Sequence, residues 1–170
     1  MDKKPLYILG ETDEPLVCVG EEENQQVTLS MIQQTDRHLD ILSRHFDPAV
    51  YDTADCYTAF EELALRSRHT RIRILLHEPR QVAQRGHRIF SLGKRLSSSF
   101  FFRKPAPRHA YLEETFLIAD DVGTIHRPFQ ESLKTLANFN HVETAKRLSR
   151  LFNEIWEEAE VDPDMYQLVL

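Results

Sequence analysis

Apolar and polar positions repeat along this chain with two different periods. His38–Ser43 (HLDILS) alternates and reads as a strand, and Asp47-Pro48 breaks it. The period then lengthens. Cys56, Ala59, Phe60, Leu63 and Ala64 lie on one stripe of a helix over 54–67, with Thr53 or Asp52 to cap it. Arg71–Leu76 (RIRILL) is β-branched and reads as the next strand. Val82, Gly86, Ile89, Gly93 and Leu96 share one face of a single helix over 80–96, and the two glycines suggest close approach to a sheet. A strand follows over 100–104, ended by Pro105 and Pro107. Thr115–Ala119 (TFLIA) and 124–127 make a hairpin about Asp120, Asp121 and Gly123. A short strand at 135–139 precedes a long helix reaching Glu160, with Asn140 as cap and Ala145, Leu148, Phe152, Ile155 and Trp156 as its apolar face.

The ends are less regular. Two apolar runs, 6–9 and Leu16–Val19, predict a hairpin or edge strands. Residues 21–26 read as a polar linker and 27–35 as a short helix. The division is therefore an N-terminal arm over 1–26 and one domain over 27–170. Strands alternating with helices predict an α/β fold: a mixed, largely parallel sheet with helices on both faces and a long C-terminal helix.

Charge changes the picture more than composition does. The net charge is −6, yet residues 66–108 hold twelve Arg and Lys against one acid, Glu78. Either the acidic ends fold over this basic middle, or it meets an anionic ligand or partner. The candidate anion-binding residues are Arg71, Arg73, Arg80, Arg88, Arg95, Arg103 and Lys104. Arg71 and Arg73 alternate on one strand face, and Arg80, Arg88 and Arg95 recur along the presumed helix. A nucleic acid or other polyanion is the partner such a stripe suits. No apolar run is long enough to span a bilayer, and the apolar start is too short for a secretory signal, so the expected location is the cytoplasm. Cys18 and Cys56 read as buried thiols; no Cys/His spacing suits a metal, and no cofactor is expected. No GxSxG elbow occurs. His45 and His77 each follow a strand, where ligands collect in α/β sheets.

Three phrases carry a resemblance. LALRSRHTRIRILL (63–76), EETFLIADDVGTIHRP (113–128) and LANFN (136–140) come in the order seen in one half of the phospholipase D superfamily. That family carries HxKxxxxD on the strand before a hairpin. With Asp120 as the motif aspartate, the histidine place is Glu113 and the lysine place is Thr115. Shifting to Asp121 gives Glu114 and Phe116 instead. The resemblance implies that the histidine attacks phosphorus and the lysine holds phosphate charge. Glutamate repels an anion there, and threonine supplies no cation. Glu113, Thr115, Asp120, His126 and Asn138 are therefore the candidate degenerate site, with no catalytic residue assigned.

The chain also resembles an uncharacterised bacterial domain with this degenerate pattern, often attached behind a GNAT-type acetyltransferase. No pantetheine-binding phrase of that enzyme is present. Single-motif members of the superfamily dimerise, which implies a homodimer; the strand at Phe100–Phe102 and the C-terminal MYQLVL are the candidate interface. Two functions remain: a non-catalytic binding module for a phosphate-bearing ligand, nucleic acid or protein, and a divergent hydrolase using His and carboxylate residues.

Overall fold

The computed structural model describes residues 5–129, 132 and 134–162. In chain order the elements are β1 (Leu16–Val19), α1 (Glu21–Gln34), β2 (His38–Ser43), α2 (Pro48–Tyr51), α3 (Ala54–Arg66), β3 (Arg71–Leu76), α4 (Pro79–Arg85), α5 (Arg88–Arg95), β4 (Phe100–Arg103), β5 (Thr115–Ala119), β6 (Gly123–Arg127), β7 (Lys134–Asn138) and α6 (Val142–Glu158). The strands form one sheet in the order β1-β7-β6-β5-β2-β3-β4. Its mixed character is as expected, but the parallel part is confined to β2, β3 and β4. The remaining pairings are antiparallel. Hydrophobic alternation fixes which face a residue takes, not which way its neighbour runs.

Side chains alternate across the sheet, so each strand feeds two cores. On one face Ile41, Ile72, Ile74 and Leu117 pack against Met31 of α1, Phe60 and Leu63 of α3, and Ile89 and Leu92 of α5. On the other, Leu42, Leu75, Phe116 and Ile118 pack against Leu148, Phe152 and Ile155 of α6. The α3 stripe is buried as read, and Thr53 caps it by accepting from the Cys56 N–H. Gly93 does meet the sheet: a β-carbon there would come within 2.6 Å of Phe102 Cζ.

Several boundaries differ from the sequence reading. Residues 6–9 form no strand; β1 pairs with β7 instead of closing a hairpin. Helix α1 begins at Glu21, so the polar stretch is its solvated first turns, not a linker. The single helix over 80–96 is two, parted at Gly86, which ends α4 at φ 72° and is exposed. Its glycine serves as a left-handed stop, not as a contact. The cap of α6 is His141, not Asn140: its Nδ1 accepts from the Thr144 N–H at 3.2 Å. MYQLVL lies outside the described residues.

Each sheet edge is plugged at one end. The Val19 N–H at the end of β1 donates to Glu23 Oε2 at 2.8 Å. Beyond β4, Lys104 and Glu160 exchange backbone hydrogen bonds of 2.8 and 2.9 Å. Phe100 and Phe102 are buried in the core, so β4 offers little apolar surface to a second copy.

Candidate functional site

The carboxyl end of β2, the start of β5 and the end of β6 open onto a cleft of about 340 Å³. Ser43 ends β2, and its Oγ accepts from the Phe46 N–H, forcing the chain into a tight reversal. Phe46 takes a left-handed φ of 50° and is fully buried against His87, ring centroids 4.4 Å apart. This reversal sets Arg44 and His45 over the strand ends, and Asp47 then caps α2. Three arginines line the cleft: Arg44, Arg85 at the end of α4, and Arg127 at the end of β6. Thr115 lies directly across from Arg127 in the β5–β6 pairing and lines the same cleft.

None of the three arginines has a carboxylate partner among the described residues. Arg44 donates to the carbonyls of Ala110 and Leu112 at 2.9 and 3.1 Å. Arg127 has a buried Nε that meets no hydrogen-bond acceptor. The acid that lines the cleft is Asp47, and at the rim Glu78 pairs with His45 at 2.8 Å. Behind the rim His77 is buried. Burial first, and then the charges of Arg44, His109, His45 and Lys104, push its pKa down to about 4. It is therefore neutral at physiological pH, and the positive charge of this end rests on the guanidinium groups.

The basic middle is arranged differently. Arg73 is held by Asp40 at 2.8 Å, Arg88 by Asp52 at 3.5 Å and Arg95 by Glu61 at 2.8 Å; Arg108 is paired with Glu158. Arg103 stacks over Trp156 at 4.3 Å and Arg71 over Phe101 at 5.5 Å. The anticipated stripe is also divided: Arg80 lies on α4, Arg88 and Arg95 on α5, and Arg73 and Arg103 on the α6 side of the sheet. Lys104 contributes its backbone to the sheet edge. These residues do not converge on one surface.

The five degenerate-site residues do not share one pocket either. Thr115 faces the cleft. His126 and Asn138 line a separate groove of about 350 Å³ on the α6 side, where His126 Nε2 meets Glu114 Oε2 at 2.7 Å. Glu113 is exposed. Asp120 sits at the far end of β5. Its carboxylate accepts from the N–H groups of Asp36, Arg37 and His38 at 2.7, 2.9 and 2.9 Å, tying the β5–β6 turn to the start of β2. With φ 49° it also occupies a conformation that aspartate tolerates better than alanine. Asp120→Ala is expected to cost about 2 kcal/mol, since charge-assisted hydrogen bonds contribute about 1.5–3 kcal/mol. A urea midpoint unchanged from the parent would contradict this role.

The sequence reading passed over Arg44; its place just after β2, where ligands gather at strand carboxyl ends, is the signal that could have found it. Arg85 and Arg127 come from a helix end and a hairpin, and nothing in their local sequence joins them to it.

The family described as Domain of unknown function (DUF7931) matches residues 20–168. The chain belongs to this family. No curated protein matches the sequence. Among solved structures, the DUF7931 chain is similar to TrmBL2, an archaeal chromatin protein with a novel mode of DNA binding: TM-score 0.65, 14% identity, 87% of this chain and 54% of that one. The chain thus spans about half the length of TrmBL2. It is similar to Nuc from Salmonella typhimurium, a phospholipase D family member: TM-score 0.59, 15% identity, 86% of this chain and 97% of that one. NucT from Helicobacter pylori gives TM-score 0.60 and 14% identity over 88% of this chain and 99% of that one. At such identities these likenesses show the fold alone, and that fold is the phospholipase D one. No described helix is long and apolar enough to cross a membrane.

Proposed function

We propose that this DUF7931 domain is a non-catalytic binding module that holds a phosphate-bearing ligand in the cleft of Arg44, Arg85 and Arg127. The observation that supports it is the contrast in pairing. Arg73, Arg88, Arg95 and Arg108 of the basic middle are matched by acids and Arg71 and Arg103 by rings, whereas Arg44, Arg85 and Arg127 have no carboxylate partner among the described residues. Unmatched guanidinium groups in a concave site suit phosphate, which they bind in bidentate fashion. The family's nucleophile and cation are replaced by Glu113 and Thr115. The cations come instead from neighbouring elements, so binding survives where phosphoryl chemistry does not. The DNA-binding archaeal neighbour keeps nucleic acid among the anions to be tested. The same reading includes a homodimer, a cytoplasmic setting and attachment behind a GNAT-type acetyltransferase.

Titration calorimetry at low salt is expected to show saturable binding of inorganic phosphate or pyrophosphate. Arg85→Gln and Arg127→Gln should each weaken it on the order of tenfold, the loss expected for one charge-assisted hydrogen bond. No binding of any anion at low salt overturns the proposal. The second reading, a divergent phosphodiesterase, is favoured by the His45–Glu78 pair at the rim of this cleft. Turnover of bis(p-nitrophenyl) phosphate that disappears in His45→Ala would establish it; background rates with and without divalent metals would remove it.

A further inference from the structure

We infer that the cleft selects a small phosphomonoester bearing several hydroxyls, of the sugar-phosphate or polyol-phosphate class, over a nucleic-acid strand. The inference rests on the anion-binding reading above and specifies its ligand. The cleft continues past Arg127 into a second lobe of about 210 Å³, and Arg127 and Asp47 line both lobes. Arg127 therefore stands at the junction, with its buried Nε unmatched. A phosphate held there would place its ester oxygen at the mouth of the second lobe.

The second lobe differs from the first in chemistry. Glu21, Asn24 and Thr135 line it, and none of its lining residues carries an aromatic ring. A carboxylate, a carboxamide and a hydroxyl are the groups that hold sugar hydroxyls. Asn24 Oδ1 accepts from Thr28 Oγ1 at 3.3 Å, while its amide hydrogens have no acceptor among the described residues. Without a ring there is no platform on which a base stacks. Glu21, with Glu22 and Glu23 behind it in the first turn of α1, repels a second phosphate. The two lobes together thus suit one anionic end and one neutral, hydroxyl-rich end. The first lobe falls at the small-ligand end of the usual range of about 300–1,000 Å³, and the second is smaller still.

A strand makes the opposite demand. It needs cations spaced along a track to release counterions at successive phosphates. Outside the cleft, Arg73, Arg88, Arg95 and Arg108 are each neutralised by an acid, and the whole chain carries −6. The cleft's three arginines are enough for one phosphate, not for a run of them.

Calorimetry at low salt with ribose 5-phosphate, inorganic phosphate, ribose and a single-stranded DNA oligonucleotide series tests this. Ribose 5-phosphate is expected to bind at least on the order of tenfold tighter than inorganic phosphate, in line with a few added hydrogen bonds, and ribose not at all. Arg127→Gln should weaken both phosphates; Arg85→Gln, on an exposed helix end, gives the same readout if the half-buried Arg127 is needed for folding. Thr135→Val and Glu21→Gln should shrink the preference for ribose 5-phosphate over inorganic phosphate. Equal affinity for the two phosphates, with no effect of Thr135→Val or Glu21→Gln on their ratio, overturns the inference and leaves the anion-binding reading intact. Oligonucleotide binding that tightens with length, with a steep salt dependence, does the same. Failure of every anion to bind removes both.

Discussion

Replacing Arg73 with methionine is expected to lower the unfolding free energy by about 3–5 kcal/mol at neutral pH, the range for removing one partner of a buried ion pair. Arg73 donates from Nε to Asp40 Oδ1 at 2.8 Å and from its second nitrogen to Asp40 Oδ2 at 2.9 Å. It also donates to Asn153 Oδ1 at 3.0 Å and lies over the rings of Phe152 and Trp156. One side chain therefore binds the parallel β2–β3 pair to α6. The Asp40 side chain is only 7% exposed, so without Arg73 its charge is stranded. In the native protein burial already outweighs Arg73 and raises the Asp40 pKa above the ordinary value. A raised carboxyl pKa has a definite sign: its contribution is fully present below the unfolded value and is lost as pH rises through the folded one. Loss of Arg73 raises the pKa further. The deficit of the variant should therefore narrow as pH falls toward about 4, near the unfolded aspartate value, where the carboxyl takes up a proton. Asp40→Asn in the same chain should restore part of the loss at neutral pH. Urea unfolding of the three variants between neutral and acid pH measures all of this. A loss of less than about 1 kcal/mol, or one that ignores pH, would show that the bridge is not needed, since exposed pairs contribute about 0–1 kcal/mol.

Gly93→Val is expected to destabilise the fold by about 3 kcal/mol, at the upper end of ordinary overpacking. Its new β-carbon would meet the ring of Phe102 at 2.6 Å and Phe100 Cγ at 3.2 Å. The Phe102 ring cannot swing aside freely. It is packed against Phe90 at 5.0 Å and Phe100 at 6.2 Å between centroids. Gly93→Ala separates the two effects: alanine gains about 1 kcal/mol in helix propensity, so any net loss must come from the contact with β4. Pairing it with Phe102→Leu should recover stability through a favourable coupling of about 0.5–3 kcal/mol. A Gly93→Ala chain more stable than its parent would show that α5 can lift from the sheet at little cost.

The elements readable from the sequence were those whose burial wrote a period into it. β2, α3, β3 and β5 each have one face or both faces in a core, and their apolar positions follow. The first turns of α1 are solvated, so Glu21 to Gln26 carries no stripe to read. At Gly86 the apolar spacing runs on through the break, because α4 and α5 present their faces to the same core. The site was less legible for a different reason. The pleat parts Thr115 from His126: Thr115 pairs with Arg127 on the cleft side, whereas Phe116 pairs with His126 on the α6 side. Arg44, Arg85 and Arg127 come together only through the β5–β2 pairing and the turn after β2, which no local pattern announces.

The plugs at the two sheet edges bear on how copies of this domain meet. A strand from another molecule finds Glu23 on the Val19 amide at one side and Glu160 on Lys104 at the other. Pairing a strand along the full length of either edge therefore requires first dislodging a glutamate side chain or a stretch of native backbone. That toll guards these points of the folded domain against templated stacking into fibrils.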